Sequence, residues 1–253
     1  MAANGALTFA RYAYPPNELG YCGPDDGRLL LEYADAATSD GGLVAAAGQF
    51  SGAWPYLELI AGSVGLDPLD ALVVEAYWLG NRLLDGIDRS RFGEDLEARF
   101  KTRTGNEWQH LVPTIPAGGL PHHSFHVFAV YPWVGLMHSG IVDEPLRVID
   151  RCRIRWGRVV AVVDQDVVVR YQPLRWDATG LHLGPDAIES VRFAENGLRL
   201  VGKLQPGDAV ALHWDWVCDR LTEQQEAGLR FYSNRMLELV NQLPLSGPAA
   251  ILG

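Results

Sequence analysis

The spacing of apolar residues changes near the middle of this 253-residue chain. In the first half, apolar positions recur every three or four residues, which is the period of an amphipathic helix. The clearest run follows Asp67 and consists of Leu69, Leu72, Val73, Ala76, Tyr77, Leu79 and Leu83. In the second half, short β-branched or alternating stretches are separated by turn residues such as Pro206-Gly207-Asp208. The pattern therefore predicts an α+β protein with its helices first and its strands second.

Four helices are predicted in the first half, over residues 27–37, 54–63, 67–86 and 93–101. Asp67 can cap the third of these helices, and Gly86 is expected to end it. A further apolar stretch, Leu120–Met137, contains Pro132 as a break or kink. Residues 1–26 are rich in Pro, Gly and Tyr, so we expect little regular structure there.

Short strands and a final helix over Thr222–Asn241 are predicted in the second half. The strands are expected over residues 158–163, 167–171, 180–183, 190–193, 198–204 and 209–216. Closely spaced short strands favour a small closed barrel. Asp143-Glu144-Pro145 has the composition of a linker. We therefore predict a mainly α-helical domain over residues 1–145 and a small OB-like β-barrel with a C-terminal helix over residues 146–253.

The charge of the chain narrows the classes of partner. Of the net charge of −10, the first 147 residues carry −9, with 9 basic and 18 acidic side chains. This acidity argues against nucleic acid or an anionic membrane as a partner. No apolar run reaches the roughly 18 residues of a membrane helix. With three widely spaced cysteines and no basic, apolar leader at the N-terminus, we expect a cytoplasmic protein without membrane insertion.

A series of motifs in the second half points to a known family. The segment from Cys152 to Val160 reads as the opening strand of a barrel. About fifty residues later a Pro-Gly-Asp turn precedes a strand containing His213, and Leu221–Ala227 leads into the last helix. This order resembles the HypC/HupF family of nickel–iron hydrogenase maturation chaperones. The resemblance covers about 90 residues, from Asp150 to Asn241.

The resemblance implies a function and a site. Cys152 and His213 would bind iron as a fragment carrying cyanide and carbon monoxide, and the protein would be a hydrogenase maturation accessory protein. Its partners would be the hydrogenase large-subunit precursor or other maturation proteins. Low-spin ferrous iron with these ligands is a soft centre, which thiolate and imidazole suit better than carboxylates do. Cys152 is internal here, and Trp156 stands where the family has Pro.

The first half offers a second candidate site. On a helix, His122 and His126 would share a face at i and i+4, and two imidazoles one turn apart can bind a transition metal. A third ligand would come from Glu75, Asp85, Asp88 or Cys22. The alternative functions are therefore a metal-dependent enzyme that uses this histidine cluster, and a structural subunit that uses the barrel only for interaction. A simple hydrogen-bonded histidine cluster would also explain the motif.

Overall fold

Helices make up most of the first half. In the computed structural model, residues 4–104, 111 and 113–242 are described, except for the side chains of residues 99–104. The helices are α1 (Gly5–Glu18), α2 (Leu29–Ala36), α3 (Gly41–Ala47), α4 (Trp54–Val64), α5 (Ala71–Trp78), α6 (Arg89–Thr104), α7 (His123–Phe125), α8 (Trp133–His138), α9 (Asp143–Cys152) and α10 (Glu223–Gln242). A 3-10 turn spans Arg82–Gly86, and a π-helical turn spans His126–Val130. In the part of the chain that is described, no helix combines the length and apolar composition needed to cross a bilayer.

The predicted irregular N-terminus is in fact helix α1, so this expectation was wrong. Asn4 caps the helix by accepting a hydrogen bond from the backbone N–H of Leu7. The side chains of Phe9 and Tyr12 are completely buried. Pro15 and Pro16 lie in the last turn of the helix. Burial of the aromatic face therefore outweighs the weak local propensity of this Pro- and Tyr-rich sequence.

Nine strands follow in the described part of the second half. They are β1 (Arg155–Val163), β2 (Asp166–Tyr171), β3 (Leu174–Asp177), β4 (Gly180–Leu183), β5 (Ala187–Arg192), β6 (Ala194–Glu195), β7 (Leu198–Arg199), β8 (Ala209–His213) and β9 (Trp216–Arg220). Five of them form a mixed sheet in the order β1-β2-β5-β9-β8, and β8 pairs back with β1. The β5–β9 contact is one parallel pair, Arg192 with Trp216. The α+β class is confirmed, and the sheet closes on itself through this single pair.

Three local predictions in the second half need correction. Cys152 does not open a strand, because it is the last residue of α9, whose buried side carries Val148 and Ile149. The predicted strand over residues 209–216 is two antiparallel strands, β8 and β9, with a turn at Trp214-Asp215. Trp214 has a left-handed φ of 51°. Of the predicted strand over residues 198–204, only the two residues of β7 are extended.

The two halves of the chain share one buried apolar core. Glu18 in α1 accepts hydrogen bonds from Arg192 at 2.9 Å and from the indole Nε1 of Trp216 at 2.8 Å. Arg11 pairs with Asp219 at 2.7 Å. The predicted division at residues 145 and 146 falls inside α9. The division into two domains stays a prediction, and the link between the halves is a helix.

Helix α10 lies close against the first half at a pair of glycines. A Cβ atom on Gly228 would lie 2.5 Å from the carbonyl oxygen of Gly80, which leaves no room for a larger residue. Gly80 has a left-handed φ of 84°, and a Cβ there would lie 2.1 Å from the Tyr232 ring. This close approach brings α10 next to the segment that carries the histidines described below.

Candidate metal centre

Three metal-ligating side chains from distant parts of the chain meet in the interior. Cys152 is the last residue of α9, His213 ends β8, and His123 begins α7. Their potential ligand atoms all lie within 4.8 Å of one another. The structure therefore brings Cys152 and His213 together, as the resemblance leads us to expect, and adds His123.

The orientation of His213 is set by the backbone of α1. Its Nδ1 lies 2.7 Å from the carbonyl oxygen of Tyr12 and donates a hydrogen bond to it. In a regular helix that carbonyl would accept from the backbone N–H four residues later, but that residue is Pro16, which has none. With the proton on Nδ1, the lone pair of His213 is on Nε2, a buried atom without a hydrogen-bond partner. A metal ligand held in one tautomer by a carbonyl is common in metalloproteins.

His123 is held between two groups. Its Nε2 donates to the carbonyl oxygen of Cys152 at 2.8 Å, and its Nδ1 then accepts from the hydroxyl of Tyr77 at 3.3 Å. Its ring lies edge-on to that of His213, with centroids 5.1 Å apart. Binding of a metal by His123 would replace one of these two hydrogen bonds.

Burial determines the charge of all three side chains. It lowers the pKa of His123 to about 4, and it lowers the pKa of His213 well below its usual value. Both imidazoles are therefore neutral at pH 7, and each has one ring nitrogen that carries no proton. Burial, and then the nearby Cys22, raises the pKa of the Cys152 thiol far above its ordinary range. The thiol stays protonated at neutral pH until a cation replaces the proton.

The three side chains lie on the wall of a cavity of about 370 Å³. The wall is mostly aromatic, with Tyr77, Trp78, Trp133 and Trp214 among its members. Among the described residues, no Asp, Glu, Lys or Arg lines it. A volume of this size is typical of pockets that bind small molecules. The arrangement therefore combines a cluster of soft donors with a largely uncharged chamber.

The two histidines that the spacing favoured, His122 and His126, do not belong to this group of three donors. His122 precedes the helix instead of lying in it, and its Nδ1 accepts from the backbone N–H of Ser124. Its ring stacks on Tyr232, with centroids 5.9 Å apart. His126 lies on the cavity wall with its Nδ1 3.3 Å from the Tyr56 hydroxyl. Among residues 4–98, 111 and 113–242, the group of three donors whose ligand atoms lie within 4.8 Å of one another contains His123. It contains neither His122 nor His126.

The proposed third ligands for that pair have other partners. Glu75 accepts from the side-chain amides of Asn81 and Gln225. Asp85 accepts from the Tyr232 hydroxyl. Asp88 accepts from the backbone N–H of residues 90 and 91 in the first turn of α6. Cys22 lines the same cavity as Cys152.

His122 makes the stability of the fold sensitive to acid. Burial lowers its pKa to about 3, whereas an unfolded histidine titrates near 6.5. Below pH 6.5 the unfolded chain takes up a proton that the folded chain does not, so stability is lost as the pH falls. His122→Asn keeps an oxygen that can cap α7 but removes the titrating group. We expect the unfolding free energy of this variant, measured by urea denaturation, to fall less steeply with decreasing pH than that of the wild-type protein. Between pH 6 and 4 the two slopes should differ by about 1.4 kcal/mol per pH unit. Parallel curves for the two proteins would contradict this assignment.

Comparison with known families places the whole chain in one of them. Residues 1–246 match the family of unknown function DUF6390, so the chain belongs to that family. No curated protein and no solved structure matches it significantly.

Proposed function

We propose that this DUF6390 protein binds a transition metal through His123, Cys152 and His213 and carries iron bearing cyanide and carbonyl ligands. In this proposal it is a maturation accessory protein of nickel–iron hydrogenase. The supporting observation is the meeting of Cys152 and His213 in the interior. They are the two residues that the HypC/HupF resemblance pairs, and they come from segments about sixty residues apart.

The donor set favours a soft or borderline metal. One thiolate and two imidazoles suit iron, zinc or copper, whereas Mg²⁺ and Ca²⁺ require oxygen ligands. Three protein ligands leave at least one coordination position for a ligand from outside the chain. The cavity beside the donors gives such ligands space, and its uncharged wall suits small neutral or metal-bound groups.

A carrier passes its metal to another protein, whereas an enzyme acts on a substrate. Under this proposal the hydrogenase large-subunit precursor, or another maturation protein, takes the iron fragment from the site. The fragment is then the cargo of the protein. The lowered pKa values of His123 and His213 favour metal binding in either role, because neutral imidazoles bind a metal without first losing a proton near pH 7.

One observation favours a metal-dependent enzyme as the second candidate. The cavity, at about 370 Å³, is much larger than two diatomic ligands require. A metal at the same three donors could activate a water molecule toward an organic substrate in that space. This version of the enzyme hypothesis uses His123 in place of the pair His122 and His126.

Metal content tests the proposal directly. Protein purified without oxygen and reconstituted with ferrous iron should retain about one iron per chain. His213→Ala and His123→Ala should each weaken retention at least tenfold, because each removes one ligand of the three. His182→Ala is the control, since this half-exposed histidine lies near Asp177, outside the cluster. Metal content is measured by mass spectrometry after desalting.

The outcomes separate the candidates. A wild-type protein that retains no iron, zinc or cobalt would contradict both metal hypotheses. The remaining candidate would then be the structural subunit that uses the barrel only for interaction. Retention of metal with turnover of an organic substrate, but no transfer to a hydrogenase precursor, would favour the enzyme. Equal retention by His213→Ala and the wild-type protein would show that the metal lies elsewhere.

A further inference from the structure

Two tryptophans on the cavity wall have buried indole N–H groups without an acceptor. Trp78 and Trp214 are 3% and 5% exposed, and the Nε1 atom of each has no hydrogen-bond partner. Nearly every buried polar group in a folded protein has a partner, so an unpaired donor calls for an explanation. Both residues line the cavity next to the three donors.

Trp78 lies directly against the donor cluster. Its ring centroid is 4.6 Å from that of His123 and 5.7 Å from that of His213. It is held there by stacking on Tyr12, whose carbonyl orients His213. A single residue, Tyr12, thus positions both a candidate ligand and the neighbouring indole.

Trp214 is kept at the cavity in a strained conformation. Its φ of 51° is in the left-handed region, which is rare for a bulky residue and costs of order 1 kcal/mol or more. The surroundings hold it there: the buried Arg155 donates to its carbonyl oxygen, and its backbone N–H donates to the carbonyl oxygen of Arg151 at 2.8 Å. Its ring stacks on Tyr21 at 4.9 Å. Strained residues of this kind concentrate at functional sites.

We propose that Trp78 and Trp214 donate hydrogen bonds to a small anionic ligand, of which cyanide is the representative, at the open position of the metal. This rests on the proposed metal site and adds to it the groups that select the outer ligand. The cavity wall offers no Lys or Arg among the described residues. The negative charge of the ligand would be balanced by the metal, and its terminal lone pair by the indole N–H groups. A large polyanion such as a phosphate ester would find no Lys or Arg here to bind it beside the metal.

The test measures anion binding after metal loading. The protein is loaded with Co²⁺, whose visible spectrum reports on its ligands, and metal content is recorded first. Cyanide is then titrated into the wild-type protein and into Trp78→Phe and Trp214→Phe, which keep an aromatic ring but lose the N–H. We expect each variant to raise the Kd for cyanide about tenfold, as for one lost hydrogen bond to a charged acceptor. The infrared stretching band of bound cyanide should shift in each variant.

Trp133→Phe is the matched control, because Trp133 lines the same cavity but is half-buried and is not among the unpaired donors. It should leave both the Kd and the cyanide band unchanged. If Trp78→Phe and Trp214→Phe retain Co²⁺ and bind cyanide like the wild-type protein, the present inference is overturned and the metal site stands. If the wild-type protein takes up no metal, the proposed function itself fails.

The proposal can still be tested if one of the two tryptophan variants fails to fold. Should Trp214→Phe prove unstable, because it disturbs a strained turn, Trp78→Phe still tests the same ligand from an unstrained helix. An independent measurement uses the wild-type protein in heavy water. Exchange of the indole protons should shift the band of bound cyanide, and no shift in the loaded wild-type protein would contradict the proposal.

Discussion

Cys152→Ser is expected to abolish the infrared bands of an iron–cyanide–carbonyl fragment while leaving the fold intact. Serine is nearly isosteric with cysteine, so packing at the end of α9 should change little. Its hydroxyl stays protonated at neutral pH and is a hard, poor ligand for low-spin iron. The measurement is infrared spectroscopy of protein produced together with the machinery that assembles the iron fragment, with circular dichroism as the check on folding.

The other cysteines supply the controls for this experiment. Cys218 is completely buried in β9 and does not belong to the donor cluster, so Cys218→Ser should keep the bands at some cost in stability. Cys22→Ser should also keep them, unless this cavity residue completes the metal site. His213→Ala should weaken the bands less than Cys152→Ser does, because the thiolate remains. Bands that persist in Cys152→Ser, or that never occur in the wild-type protein, would refute the carrier proposal.

Arg155→Met is expected to cost the fold about 3–5 kcal/mol, the usual consequence of breaking a buried ion pair from one side. Arg155 is completely buried and donates hydrogen bonds to Glu189 and to the carbonyl oxygen of Trp214. Methionine fills much of the same space but leaves Glu189 with a half-satisfied charge in the interior. The unfolding free energy is measured in urea, and metal retention is measured in parallel, since the turn after His213 loses one of its anchors.

Arg147→Met is the matched control, because Arg147 pairs with Glu144 on the surface. Both side chains are more than half exposed, and such pairs contribute at most about 1 kcal/mol. The double variant of Arg155 and Glu189 to methionine should recover much of the lost stability, since it also removes the Glu189 carboxylate, which in the single variant keeps only Arg151 as an ion-pair partner. A single Arg155→Met protein within 1 kcal/mol of the wild-type protein would show that this pair does not hold the site.

Hydrophobic spacing predicts those elements whose own sequence carries the pattern. The helices α2, α4 and α10 and the strands β1, β2 and β4 lie close to their predicted positions. Prediction failed where tertiary contacts override local preference. Helix α1 forms across Pro15 and Pro16 because its aromatic side is buried by α5 and the sheet. The third predicted helix starts at Ala71, because Asp70 and not Asp67 supplies the capping oxygen, and it ends at Trp78 instead of Gly86.

Only part of the candidate site can be predicted from the sequence. The order of motifs singles out Cys152 and His213, although the local structure assigned to Cys152 was wrong. His123 has no such signal, because its role depends on where the short helix α7 begins. The spacing of His122 and His126 indicates a shared helix face, but His122 is the N-cap of α7, and its Nδ1 accepts a hydrogen bond from the backbone N–H of Ser124. Which of three neighbouring histidines faces Cys152 is decided by packing between distant segments.

Pro16, in the last turn of α1, affects how many protons the site would release when a metal binds. Because Pro16 leaves the Tyr12 carbonyl free, the proton of His213 is committed to Nδ1 before any metal arrives. His213 can then coordinate without releasing a proton, whereas the Cys152 thiol must lose one. At the proposed metal site, uptake of a divalent ion would therefore add a single net positive charge to the cavity. A ligand such as cyanide would cancel that charge and leave the loaded interior neutral.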